Sequence, residues 1–178
     1  MNEVLKTIRE RRSTRGFKSE AVPQELIETI AEAGLYAPNG GGRQDTLTLV
    51  ITDPALIARL SKMNAKYGLW NIGREFDPLY NAPVVMVVFG KRESNTCVED
   101  GSLIIGTMLL AAESLGLDGI WVHRAFEEFE SDEGKAILKE LGIADEYRAV
   151  GHCLIGYAAE EAKPAAPRKE NRIVYAKK

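Results

Sequence analysis

The stretch from about Thr96 to Leu115 constrains the fold most. It reads as one helix, apolar on almost every side, with Gly101, Ser102, Gly106 and Ala111 as small residues among its leucines, isoleucines and Met108. A helix that is apolar all round is a buried one, so other elements must pack it on nearly every side. Its chargeless part runs only from Gly101 to Ala112, too short to span a bilayer. The chain has 178 residues, enough for a hydrophobic core, and neither a repeat nor a long linker divides it. Residues 1–178 therefore read as a single domain.

The rest of the pattern supplies what would cover that helix. Val84 to Phe89 is a continuous apolar run, expected of a central strand buried on both faces. Leu47–Ile51, Gly119–Val122 and Ala149–Ile155 read as further strands. Val4, Leu5 and Ile8 share a helical face expected to point at the core, and that first helix closes near Thr14–Gly16. A second helix runs from Pro23 to about Tyr36, with proline in its first turn and Leu26, Ile27, Ile30 and Leu35 at helical spacing. Another starts near Asp53-Pro54 with Asp53 as N-cap, and one more spans about Asp132 to Leu141. Lys66 to Asn81 reads as an irregular, aromatic-bearing excursion. At the C-terminus, Ile173-Val174-Tyr175 is a β-like tag without a hairpin partner. It either frays or adds a strand to a sheet, including that of a second subunit.

Composition narrows the function classes. Hydrophobic residues make up 45% and charged residues 28%, an ordinary globular balance. The net charge of -3 gives no general attraction to nucleic acid or to anionic lipid, so an anion site must be local. The N-terminus carries charges throughout and no apolar signal segment. Cys97 and Cys153 form no CxxC and read as buried thiols of a cytoplasmic protein. The two histidines and two cysteines have no metal-ligand spacing, and neither a GxSxG nor a P-loop is present. His152, in an apolar strand, reads as a core residue, and His123 ends a strand. The reactivity of such a chain is expected to come from a cofactor.

Two clusters could hold one. Continued at about 100° per residue, the first helix brings Arg11 and Arg12 into the arc of Val4, Leu5 and Ile8. Guanidinium groups there are costly unless an anion satisfies them, and arginine forks with Ser13 suit a phosphate. The other reading is that cations gather at a helix C-terminus because of its dipole. The second cluster is Pro38-Asn39-Gly40-Gly41-Gly42-Arg43-Gln44. Its glycines let backbone approach a planar ligand, or simply make a flexible turn. They follow a helix and precede a strand, the reverse of a Rossmann fingerprint. Arg168 and Lys169 stand in a basic tail.

In this order, the pieces resemble the nitroreductase family of FMN-dependent oxidoreductases over essentially the whole chain. Arg11-Arg12-Ser13-Thr14-Arg15 is similar to the family's phosphate motif, and Ala37 to Gln44 to its A-P-S-G-x-N-x-Q turn. Thr107 to Leu117 matches its buried helix and Gly119 to Trp121 the strand after it. Ile155-Gly156-Tyr157, then Lys163-Pro164 and Arg168, resembles the closing part.

The resemblance implies an α+β fold with a central mixed or antiparallel sheet flanked by helices and a C-terminal extension reaching the partner subunit. It implies a homodimer holding FMN without a covalent link at its interface. Arg11, Arg12, Ser13 and Arg15 would hold the phosphate and ribityl chain, with Arg168 closing on the phosphate. Pro38, Asn39, Gly40, Gly42 and Gln44 would lie by the partner's flavin ring, and Trp121 and Gly156 complete the implied cofactor set. The implied activity takes hydride from NADH or NADPH and reduces a small nitroaromatic, quinone or activated alkene by a ping-pong mechanism. The alternative is a non-catalytic flavin carrier or sensor. No residue is identified as a catalytic acid or base. Asn39, Gly42 and Asp45 depart from the family's serine, asparagine and proline. The change at Gly42 removes an amide from the flavin's surroundings, and Asp45 adds a negative charge.

Overall fold

The structure, a computed structural model, describes residues 1–67 and 76–176. Its elements in chain order are α1 (Glu3–Glu10), α2 (Gln24–Leu35), β1 (Thr46–Ile51), α3 (Pro54–Tyr67), β2 (Val84–Lys91), α4 (Cys97–Ser114), β3 (Asp118–Val122), α5 (Ala125–Glu130), α6 (Asp132–Glu140) and β4 (Tyr147–Gly156). The strands form one antiparallel sheet in the order β1-β2-β4-β3. The fold is α+β, as expected.

β2 shows why the sheet is central. Its residues Val84 to Gly90 are all buried, and alternate side chains point to opposite faces. Val85, Val87 and Phe89 join a core with Leu60 and Met63 of α3, Phe129 of α5 and Ile137 of α6. Val84, Met86 and Val88 join a second core with Ile27 and Ile30 of α2 and Ile104, Ile105 and Met108 of α4. Each such side chain withdrawn from water contributes about 1.5–3 kcal/mol before chain entropy is counted. The sheet is thus sandwiched between α2/α4 and α3/α5/α6.

Several expectations change. The Val4–Leu5–Ile8 face of α1 does not point into the core. These residues are 65%, 49% and 50% exposed, and Thr7 is the buried residue of that helix. α4 is buried against the sheet and α2 but not all round, since Val98 and Leu103 stay exposed. An apolar sequence records what must be covered, whether by this chain or another. The first helix ends at Glu10, earlier than expected, and α5 was not foreseen because six residues show too little periodicity. Within the stretch expected to be irregular, α3 continues to Tyr67 and residues 68–75 lie outside the described ones. Asp77 then closes a turn by accepting from the backbone N–H groups of Leu79 and Asn81.

His152 is fully buried as expected, but within a polar network. Its Nε2 lies 2.9 Å from Glu128 Oε2, and its Nδ1 lies 3.3 Å from the Val122 carbonyl. Asn64 Nδ2 donates to the same Glu128 oxygen and to the His123 carbonyl. α3, α5 and β4 are pinned together at this point. Cys97 and Cys153 are buried free thiols, and burial raises both thiol pKa values. Among the described residues no helix is long and apolar enough to cross a membrane.

Candidate functional site

The arginine row is clamped across one end of the sheet. Arg11 caps α1, its N–H donating to Thr7. The chain then runs extended beside β3 and β4. Thr14 N–H donates to the Gly119 carbonyl, Lys18 N–H to Tyr157, and Ala159 N–H returns to Gly16. Asp118 ties both strands to the row, accepting from the Thr14 hydroxyl at 3.1 Å and from Ala158 N–H at 3.0 Å. Sequence reasoning missed Thr14 and Asp118, because one hydroxyl and one carboxylate at a strand end carry no pattern.

The cations of this row lack anionic partners. Arg43, Arg59, Arg92 and Arg124 each pair with a carboxylate, whereas no carboxylate oxygen lies within ion-pair distance of Arg11, Arg12 or Arg15 among the described residues. Arg12 Nη1 donates to the carbonyls of Arg9, Glu10 and Arg11, so for Arg12 the helix-terminus reading holds. Its Nε nevertheless remains buried without a partner. Ser13 and Arg15 are exposed. Glu113, at the end of α4, has its pKa raised by burial and by Asp118, while Arg11 pulls it down. The exposed Ser13 hydroxyl and the orphaned Arg12 Nε, beside guanidinium groups without a carboxylate partner, fit a phosphate.

The glycine turn is built, not slack. Asn39 Oδ1 accepts from Gln44 N–H, and Gly40 N–H donates to Asp100 Oδ1. A Cβ at Gly40 would overlap the Thr96 hydroxyl, which itself donates to Asp100. Gly41 and Gly42 have φ of +64° and +68°, where a side chain is strained. Space beside Gly42 is open, and Pro38 is exposed. Asp45 is held by Arg43 at 3.0 Å, which offsets the charge it brings.

The two clusters lie at opposite ends of the sheet. The turn leads into β1 at Thr46, paired with Gly90, whereas the arginine row crosses at Gly119, beside the Val84 end of β2. Six residue steps of β2, Val84 to Gly90, separate those ends, about 20 Å at the usual rise per residue. α4 spans the gap: its N-terminal Asp100 holds the turn, and its C-terminal Glu113 lies by Arg11. Within one chain the clusters do not converge.

The remaining expected site residues are dispersed. Trp121 is half-buried on β3, its indole packed on Gly151. Gly156 is buried where a Cβ would press on Phe17 and Pro83, so its smallness serves packing. Arg168 stands on the exposed tail with Nη2 on its own Ala166 carbonyl, and no hydrogen bond or ion pair joins it to Arg11, Ser13 or Arg15 among the described residues. No metal-ligand group occurs among the described residues.

The chain matches the family model described as the nitroreductase family over residues 8–157, a span holding both clusters and all four strands. It belongs to the nitroreductase family. A nitroreductase with bound FMN from Bacteroides fragilis is 26% identical and superposes with a TM-score of 0.90, covering 99% of this chain and 100% of that one. A second, also with bound FMN, from Desulfitobacterium hafniense, is 29% identical with a TM-score of 0.87 over 99% and 100% of the two chains. A protein of Archaeoglobus fulgidus, provisionally named NADH dehydrogenase/NAD(P)H nitroreductase, is 28% identical over 90% of this chain and 88% of its own. Nitroreductase kinship makes this chain an oxidoreductase of the flavoprotein type.

Proposed function

We propose that this nitroreductase-family chain is a cytoplasmic homodimer that binds FMN non-covalently in two sites, each shared between subunits. Arg11, Ser13 and Arg15 of one chain hold the phosphate and ribityl end, with Arg12 contributing its buried Nε. The turn from Pro38 to Gln44 of the other chain covers the ring. The observation that carries this reading is the separation of the two clusters to opposite ends of one sheet, with α4 running between them.

An antiparallel pairing of two α4 helices supports the geometry. Leu103, Gly106 and Leu110 form an incompletely buried stripe on α4, at the spacing that recurs on one helix face. A twofold axis through that stripe sets the turn of each subunit beside the arginine row of the other. Such self-complementary pairing is the usual form of a dimer interface, and it also supplies a cover for the apolar face of α1. The exposed Ile173–Tyr175 tag reaches the second subunit. β1 is the edge open to it, since residues 13–14 already lie along β3. On this reading Arg168 of the same tail closes on the phosphate.

Bound FMN supplies the redox chemistry, accepting two electrons from NADH or NADPH and delivering them to a small nitroaromatic, quinone or activated alkene. The protein's part is to fix the anion, exclude water under the glycine turn and hold backbone N–H groups and cations near the ring, where preorganised dipoles stabilise negative charge. Trp121 would help hold the ring, and Gly156 would serve the site by letting Phe17 and Pro83 pack at the strand end. Anaerobic addition of NADH or NADPH to the FMN-loaded protein tests the activity: the yellow absorption is expected to bleach and to return with an acceptor. A flavin that stays oxidised under both nucleotides would instead leave a carrier or sensor.

A further inference from the structure

A cavity of about 600 Å³ opens at the same end of the sheet as the arginine row and is not used by the flavin site described above. The segment that carries the arginines runs on past Phe17 into one wall, through Val22. Ile27 of α2, Ile57 of α3 and Val84 of β2 contribute apolar surface to the other walls. The volume and the apolar walls suit a small organic molecule.

Two charged residues line it, Lys62 and Asp77, and their situations differ. Asp77 is occupied: its carboxylate accepts from the Ser61 hydroxyl at 2.5 Å and from the backbone N–H groups of Leu79 and Asn81. Lys62 has neither an ion pair nor a hydrogen bond among the described residues, although Arg59 and Lys66 on the same helix both pair with Glu133. An apolar chamber whose one uncommitted charge is an ammonium group selects an apolar molecule with an acidic end.

We infer that this cavity is a binding site for an apolar organic anion, such as an aromatic or medium-chain acid, with Lys62 meeting its charge. The site stands whether or not the flavin is reduced by nicotinamides, because none of its named walls belongs to the arginine row or the glycine turn.

Equilibrium dialysis of the full-length, FMN-loaded protein tests it with two probes sharing one ring system. These are the anion 1-anilinonaphthalene-8-sulfonate and its uncharged counterpart N-phenyl-1-naphthylamine. The anion is expected to bind once per chain. Lys62→Met should weaken it about fivefold, the upper range for a partly exposed ion pair, while leaving the uncharged probe unchanged. Ala58→Trp and, from another wall, Ser19→Trp should each abolish binding of both probes, with flavin content reporting that the variants are folded. Unaltered binding in both tryptophan variants would overturn the site. Equal loss of both probes in Lys62→Met would overturn the charge preference. Binding that appears only after residues 160–178 are removed would give the cavity to the chain's own tail and overturn the ligand.

Discussion

Arg11 and Arg15, unlike Arg43, Arg59, Arg92 and Arg124, have no carboxylate partner among the described residues. A guanidinium without a carboxylate, fixed at a sheet end, is ready for a phosphate. Loss of a charge-assisted bond costs about 1.5–3 kcal/mol, so Arg11→Ala and Arg15→Ala should each weaken FMN binding by about tenfold or more in a flavin titration. Glu113 is the counterweight. Its pKa is raised from 4.5, so the native state binds that proton more tightly than the unfolded state does. Its favourable contribution is present at low pH and is lost as pH rises from 4.5 through the raised value. Glu113→Gln should therefore stabilise the FMN-free protein at pH 7, read as a raised Tm, by under about 1 kcal/mol because the group is partly solvated. The gain should vanish below pH 4.5. Glu128 and His152 are a fully buried pair, Oε2 to Nε2 at 2.9 Å. Glu128→Leu alone should cost about 1–3 kcal/mol in chemical denaturation, and Glu128→Leu with His152→Leu less, since a buried polar group left without its partner costs more than no pair.

At the scale of elements, the apolar periodicities of α2, α4, β2 and β4 made them legible, and the boundaries of α4 differ from the expected ones by a residue. The arginine row and the glycine turn were legible as clusters. What escaped was whatever depends on neighbours remote in sequence. Nothing local marks Asp118 as the clamp of the arginine row or Glu128 as the partner of His152. The apolar face of α1 was misread for the same reason: Val4, Leu5 and Ile8 show that a face is to be covered, and not by whom. Gly156 matched a family motif, yet in the fold it makes room for Phe17 and Pro83. α4 carries the element-scale prediction. Leu103→Glu places a charge on its open stripe, which a desolvated interface does not tolerate unpaired. Sedimentation should show a shift from dimer to monomer, with flavin lost in parallel, while circular dichroism stays unchanged.

At the scale of the molecule, the placement of the two clusters is what the proposed architecture rests on. A sheet of four antiparallel strands holds them about 20 Å apart, so on the proposed reading one chain would offer two half-sites and a symmetric pair two whole ones. The long helix buried at the sheet is what sets this distance, linking the turn through Asp100 to the arginine row near Glu113. Subunit complementation tests the claim most directly. One chain carries Arg11→Ala with Arg15→Ala, and the other carries alanine at Asn39, Gly40 and Gly42. Each is purified alone and as the co-expressed hybrid, and bound FMN is counted. A shared site predicts little flavin in either parent and one intact site per hybrid dimer. A hybrid as empty as its parents, with both chains folded and paired, would place each flavin within a single chain and contradict the account.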